Sequence, residues 1–255
     1  EKETPYDVIF LNGTVATKMF KQFAYNDNRY RFIFGAVTDP VGLGVIKGFD
    51  KNPDANFTGM CHPVRVEQRL MFIRACMPEA KDIGLIYADM PQSNSYLGWI
   101  RQALKKEAFS SLRFHFRKVQ LVSSENGHLR MTRLAEKHVE ELNEKVDLFL
   151  SSNDQLGSQK AFAEMVWKRS SKPLIGLSRK DVMQGWGAAM SIYPDMEKSG
   201  ERISEMIVRL FRGGSIKEIR PEWPKSSYAF DLEKLRRFGI TIPEEFLSAA
   251  GKNVK

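Results

Sequence analysis

Short apolar runs alternate with longer amphipathic stretches along nearly all of the 255 residues, and this alternation limits the fold more than any other feature. The runs at 7–11, 31–37, 81–87, 114–122, 146–150, 173–177 and 188–193 have the length and continuity of strands buried on both faces. Between them, 14–24, 64–77, a stretch opened by Ser93-Asn94-Ser95 and running to about 109, 129–145, 157–168 and 195–211 read as helices. Val15, Met19 and Phe23 share helical spacing in the first, and Leu70, Ile73 and Met77 share one face of the second. Pro78 follows one helix end, and Gly213-Gly214 follows another. Residues 56–59 read as a short strand or turn, and the tail from 217 mixes a short strand near 228–230 with a helical stretch and a loop. Strand–helix alternation with short connections predicts an α/β fold on parallel sheets.

Such a fold says where to look for function, because ligands bind at the carboxyl ends of the strands. The residues just after each run are Asn12-Gly13-Thr14, Thr38-Asp39, Ser93-Asn94-Ser95, Ser152-Asn153-Asp154 and Ser178-Arg179. These clusters are rich in small hydrogen-bonding side chains. Several open a helix, where free backbone N–H groups and the helix dipole favour a carboxylate or phosphate. Ser, Thr, Asn and Asp are also the ordinary helix N-caps, so capping alone accounts for any single cluster.

Composition removes whole classes of function. Lys plus Arg is 39 and Asp plus Glu is 31, a net charge of +8, but the basic residues are dispersed and the densest runs are Lys105-Lys106 and Arg236-Arg237. There is no basic arm, zinc finger or RNA-binding signature, so nucleic acid is not an expected partner. The 42% hydrophobic content is that of an ordinary globular chain, yet no apolar run reaches the ~18 residues of a membrane span. Two cysteines build no disulfide framework. Cys61 and His62 are adjacent and would point to opposite faces of an extended segment, which argues against a metal pair. Cys76 reads as a core residue, and free thiols are expected, with a Cys61–Cys76 disulfide open for an exported protein.

Catalytic motifs are missing as well. G-x-G-x-x-G, P-loop and G-x-S-x-G patterns are absent, and His62, His115, His128 and His138 lack metal-ligand spacing. No enzymatic activity, metal or cofactor is expected. Asn12-Gly13-Thr14 and Asn56-Phe57-Thr58 match the glycosylation sequon by chance. Trp99 and Trp167 read as packing residues, whereas Trp186, in Gln184-Gly185-Trp186-Gly187, is a candidate lining for a ligand cleft. The polar start at 1–5 shows no charged-then-apolar leader.

Residues 32–44, Phe-Ile-Phe-Gly-Ala-Val-Thr-Asp-Pro-Val-Gly-Leu-Gly, followed by Asn56-Phe57-Thr58-Gly59, resemble the ABC transporter substrate-binding proteins of the tryptophan/tyrosine-uptake type, which have the type I periplasmic binding protein fold. Five further segments agree in order. Residues 12–17 are similar to that family's Gly-Thr-x-Ala-Thr turn, 78–87 to the strand opening its second lobe, and Ser93-Asn94-Ser95 to its Asn-Ser helix start. Lys172-Pro173-Leu174-Ile175-Gly176 with 182–188 is similar to its Lys-Pro strand and following turn, and 238–243 to its terminal Gly-x-x-Ile-Pro segment. The Val-Thr-Asp-Pro-Val-Gly block is the specific part; the resemblance covers essentially the whole chain.

Two departures stand out. Family members usually begin with about two further strand–helix units ahead of the segment matching 7–17, so the chain resembles an amino-terminally shortened form with an incomplete first lobe. Ser178-Arg179-Lys180-Asp181 replaces the acidic pattern after the Lys-Pro strand, which favours an anionic ligand.

The resemblance implies two lobes joined by crossover strands: residues 1–80 with 195–214, and 81–192 with 217–255. Hinge closure around a ligand in the interlobe cleft follows. The ligand would be an amino acid, an aromatic amino acid or a small carboxylate. Thr14, Ser93 and Ser95 at helix starts would hold its anionic group, Asp39, Asn153 and Asp154 would meet its cationic or hydroxyl groups, and Arg179 would add a bidentate contact. Gly13, Thr38, Asn94 and Ser178 complete the expected ligand-binding set. The implied partner is an ABC permease, with the protein exported, periplasmic or extracytoplasmic, its leader outside this chain, and peripheral to the membrane through the permease or a lipid anchor. A ligand-sensing domain of an extracytoplasmic receptor is the alternative, and an α/β enzyme the third reading.

Overall fold

The continuous apolar runs form strands in a computed structural model that describes residues 6–255. In chain order the elements are β1 (Ile9–Asn12), α1 (Thr14–Ala24), β2 (Phe32–Val37), β3 (Phe57–Cys61), α2 (Val66–Cys76), β4 (Asp82–Ala88), α3 (Pro91–Ala103), β5 (Arg113–Val119), α4 (Gly127–Asn143), β6 (Leu148–Leu150), α5 (Lys160–Arg169), β7 (Leu174–Gly176), α6 (Arg179–Met183), β8 (Met190–Pro194), α7 (Met196–Phe211), β9 (Ser226–Phe230), α8 (Leu232–Arg237) and α9 (Glu244–Ala250). The chain divides into two units, residues 1–64 with 194–225 and residues 65–193 with 226–255.

The first unit is a parallel sheet in the order β1-β2-β3, with Phe32 opposite both Ile9 and Phe57. Phe32, Ile33, Phe34 and Val37 are wholly buried, because a parallel strand is covered on both faces. On one face Leu11, Ala24, Phe32, Phe34 and Phe57 pack together, with the Phe32 and Phe57 rings stacked at 4.5 Å. On the other, Ile33 and Met60 meet Met206 and Leu210 of α7. Gly59 has φ +150°, and a β-carbon there would overlap the Phe34 carbonyl, so this strand pair demands glycine.

Helix α1 departs from the sequence expectation in which face it turns inward. It buries Thr17 and Ala24 and packs Phe20 on Phe32 at 5.5 Å. Val15, Met19 and Phe23, the row read from spacing, are 74%, 54% and 81% exposed, and Phe10 of β1 is 47% exposed. The helix therefore carries two apolar rows, and only one is used inside this unit. Asn56 is 4% exposed; its amide donates to the carbonyls of Ala24, Asp27 and Tyr30, and its oxygen accepts from the Asn26 N–H. It clamps the turn after α1, so the second sequon is structural.

The second unit is a six-stranded sheet in the order β5-β4-β6-β7-β8-β9, with parallel registers from β5 through β8. One core joins Ile86, Phe149 and Leu174 to Ala135 and Val139 of α4 and Phe162 and Val166 of α5. Trp186 is half-buried, with part of its ring packed on this same core. The unit boundary falls at Val64/Arg65, earlier than residue 80. The reason is that Phe72 of α2 sits against the rings of Tyr228, Phe230 and Phe246 at 5.4, 6.0 and 5.3 Å. At the other end, residues 217–225 belong to the first unit, where Ile219 joins the α7 core and its carbonyl accepts from Thr58 Oγ1 at 2.6 Å.

Cys61 and Cys76 are both buried free thiols, as expected. Burial pushes the Cys76 thiol up to about 12, so it stays protonated and unreactive near neutrality. A thiol-specific disulfide reagent should therefore release no colour from the native protein and two equivalents after denaturation. Zero equivalents in denaturant would instead mean a disulfide.

Candidate functional site

The carboxyl edge of the first sheet gathers the sequence-predicted residues Gly13, Thr14, Thr38 and Asp39. The Gly13 N–H donates to the Gly35 carbonyl at 2.8 Å, and the Thr38 N–H donates to Thr14 Oγ1 at 3.2 Å, so the ends of β1 and β2 are tied side by side. The N-cap position of α1 is Gly13, which has no side chain, so the helix starts without a side-chain cap and without an acid in its first turn. Its first N–H groups are therefore offered outward with the positive end of the helix dipole. Asp39 is partly committed: its Oδ1 accepts from the Gly42 N–H at 2.7 Å and its carbonyl from the Leu43 N–H, closing the Asp-Pro-Val-Gly turn. Lys21 of α1 holds that turn by donating to the Leu43 carbonyl at 2.7 Å. His62 follows β3 on the same edge; its N–H donates to the Val37 carbonyl, while its buried Nδ1 has no partner among the described residues. Burial lowers the His62 pKa, which keeps the ring neutral near pH 7.

In the second unit, Asp154 organises the carboxyl edge of β4 and β6. Its Oδ2 accepts from the Ala88 N–H at 3.0 Å and Ser93 Oγ at 2.8 Å. Its Oδ1 accepts from Ser152 Oγ at 2.9 Å and the N–H groups of Leu156 and Gly157 at 2.9 and 3.0 Å. The carboxylate is 8% exposed with five donors on it, so its lone pairs are filled from within the fold. A β-carbon at Gly157 would overlap the Ser152 carbonyl, so glycine is what lets this loop fold back onto Asp154.

Ser93, Asn94 and Ser95 lie inside the first turns of α3 rather than capping it. The helix begins earlier, at Pro91, whose fixed φ suits a first helical position. Ser93 is buried against Asp154, while Asn94 is exposed and Ser95 half-buried. α3 also begins without a side-chain cap or a first-turn acid. Asn153 is half-buried beside Asp154.

Ser178 and Arg179 are occupied elsewhere. Ser178 caps the short α6: its Oγ donates to Asp181 Oδ1 at 2.7 Å, and Oδ2 of the same carboxylate accepts from the Leu177 and Ser178 N–H groups at 2.6 and 3.0 Å. Arg179 is exposed, and its Nε donates to Asn253 Oδ1 at 2.5 Å.

The sequence reading passed over a second set of polar residues. Arg69, Gln92, Tyr96, Ser151 and Ser191 each carry a buried polar atom with no hydrogen-bond partner among the described residues. Arg69 had a legible signal: it shares the inward row of α2 with Val66, Leu70, Ile73 and Cys76, where a charge is anomalous. Past β5, two adjoining grooves of about 610 and 630 Å³ run between the 120–125 loop and the start of α4, with Arg130, Arg133 and His128 on their walls. Among the described residues there is no cluster of His, Cys, Asp and Glu fit to hold a metal ion, and no helix is long and apolar enough to cross a membrane.

Comparison with known proteins places this geometry. A tyrosine-binding protein of Clostridioides difficile is 26% identical over 215 residues, 84% of this chain, and the match spans 57% of that protein's length. A solved conserved domain protein from Vibrio cholerae superposes with a TM-score of 0.73 at 20% identity, over 98% of this chain and 78% of the other. The ABC domain of Streptococcus pneumoniae in complex with L-Trp superposes with a TM-score of 0.69 at 23% identity, over 99% and 82%. These likenesses show the fold, two parallel α/β units of the type I periplasmic binding protein kind. The family model for ABC transporter substrate binding proteins matches residues 2–254, and the chain belongs to that family.

Proposed function

We propose that this chain is an extracytoplasmic solute-binding protein that captures an amino acid, an aromatic amino acid or a small carboxylate and delivers it to an ABC permease, without enzymatic activity. The observation that carries the reading is the carboxyl edge of each parallel sheet. There, in a chain of this family, two long helices start with uncapped N–H groups beside hydroxyl and amide side chains. Relatives named for tyrosine and bound to L-Trp support an amino acid as the ligand. They favour transport over a signalling receptor.

The proposed contacts are Gly13, Thr14, Thr38 and Asp39 on the first edge, and Asn94, Ser95 and Asn153 on the second. Ser93 and Asp154 fix the second edge, and Ser178 and Arg179 stand beside it on α6. Export to the periplasm or cell exterior, docking on a permease and peripheral attachment to the membrane belong to the same proposal. So does completion of the first sheet by further strand–helix structure, supported by the open apolar flank of β1 and α1.

Thermal melts across L-tyrosine, L-tryptophan, other amino acids, small carboxylates and neutral sugars test it. A ligand that binds only the native state adds about 2.7 kcal/mol at a hundredfold excess over Kd, a rise of several degrees. Calorimetric titration of any hit should then give a one-to-one complex. A panel with no response would reject the reading.

A further inference from the structure

Arg69 is the least compensated charge in the second unit. It is 3% exposed, and it makes one hydrogen bond, from Nη2 to the Ile192 carbonyl at 3.1 Å. Nη1 is buried without an acceptor, and no carboxylate pairs with the guanidinium among the described residues. Tyr96 of α3 lies beside it, 1% exposed, its hydroxyl near enough for the guanidinium to act on it yet without a well-formed hydrogen bond among the described residues. Burial pushes the Tyr96 phenol up, with Arg69 pulling against that rise. The acid that Tyr96 senses is Asp154, whose oxygens already serve five donors.

A guanidinium offers five N–H donors in a planar fork, and burying it against one carbonyl leaves most of its desolvation cost unmet. No acid among the described residues bonds to it. A carboxylate is the group whose shape and charge fit an open guanidinium edge beside a phenol hydroxyl.

We infer that Arg69 and Tyr96 form the receiving site for the carboxylate of a small ligand, with Arg69 as its counter-charge. The inference rests on the solute-binding reading and sharpens it to ligands that carry a free carboxylate. It also moves the anion contact from Arg179, which is exposed and engaged with Asn253, to a buried arginine on α2.

The test uses the full chain, with Arg69→Met to remove the charge and keep the stem, Arg69→Lys to keep the charge, and Tyr96→Phe to remove the hydroxyl. Two readouts are taken: the melting-temperature shift in sodium acetate against sodium chloride at equal ionic strength, and the affinities of L-tyrosine against tyramine and L-tryptophan against tryptamine. Wild type should prefer the carboxylate-bearing member of each pair by roughly 30-fold or more, the scale of a charge-assisted pair in a dry site. In Arg69→Met the preference should fall to within about threefold and the acetate shift should vanish, with Arg69→Lys between the two. Tyr96→Phe should weaken the acetate shift by a smaller factor.

Ligand-free Arg69→Met should melt at or above wild type, because an uncompensated buried charge has gone. A variant melting well below wild type with the acetate shift intact would make Arg69 a structural strut and overturn the site. An undiminished carboxylate preference in folded Arg69→Met would do the same. Should Arg69→Met not fold, unchanged preference in both Arg69→Lys and Tyr96→Phe overturns it. If wild type binds no amino acid yet acetate stabilises it and not Arg69→Met, the carboxylate site stands and the amino-acid reading falls. If acetate stabilises neither, or both equally, the site is wrong.

Discussion

Asp154→Ala should cost about 3–5 kcal/mol of unfolding free energy, a large share of the 5–15 kcal/mol that holds an ordinary domain together. The mechanism is the orphaning of donors rather than the loss of an attraction. Removing the carboxylate strands the N–H groups of Ala88, Leu156 and Gly157 and the hydroxyls of Ser93 and Ser152. A buried donor left without an acceptor costs about 1–3 kcal/mol, and hydroxyls can rotate to a new partner where backbone N–H groups cannot. Asp154→Asn keeps one acceptor oxygen and should cost less than half as much as Asp154→Ala. Urea unfolding of the ligand-free protein measures both. A loss under about 1 kcal/mol in Asp154→Ala would mean that water fills the site freely. Because Asp154 reaches the end of β4 and the start of α3, its loss should also weaken ligand binding while Asn94 and Ser95 are still present. A ligand-affinity defect with full stability would point to direct contact instead.

The second large effect concerns surface chemistry. Val15, Met19 and Phe23 stand out from α1, with Phe10 beside them on β1, which among the described residues pairs with β2 alone. An unpaired strand edge flanked by exposed aromatic side chains is a template for association. The 255-residue chain should bind a hydrophobic dye and self-associate as concentration rises. Val15→Ser, Met19→Ser and Phe23→Ser together should restore a monomer in light-scattering chromatography. Each should change stability by only about 0.5 kcal/mol, since exposed side chains lose little on truncation. A wild-type chain that stays monomeric and dye-free at high concentration would show that this flank is innocuous.

The contrast between these two regions shows what periodicity can and cannot reveal. The strands were legible because a parallel strand is apolar on both sides, as in Phe32-Ile33-Phe34, and no local alternative competes. Helix positions were legible too, but the buried row of α1 was not. Two rows have helical spacing there, and the choice between Val15-Met19-Phe23 and Thr17-Phe20-Ala24 is made by tertiary packing on Phe32 of the next strand, β2, which the spacing within α1 does not encode. The candidate site divides in the same way. Topology alone sends the residues after each strand to the carboxyl edge, where Gly13, Thr14, Thr38 and Asp39 lie, whereas Ser93, Asn94 and Ser95 fall inside α3, which starts at Pro91. Which of them face inward was hidden: Ser93 and Asp154 consume each other, and Ser178 consumes Asp181. Arg69 was visible as a charge on an apolar helix row, a local contradiction of the kind that marks function.

The split of each core along the chain sets an order of assembly. Most of the second unit is one uninterrupted stretch, 65–193, whose contacts close over short loops. The first unit cannot close until α7 arrives: Arg31 Nη1 bonds the Leu210 carbonyl and Thr58 Oγ1 the Ile219 carbonyl, across 179 and 161 residues of sequence. Loop-closure entropy grows with the logarithm of such separations, and long-range pairing is slow. On the ribosome, β1 to β3 emerge ahead of α7 and wait with Ile33 and Met60 uncovered while the whole intervening stretch is made. Translation pace and chaperone access during that interval, rather than final stability, should govern how much of this polypeptide reaches its native state.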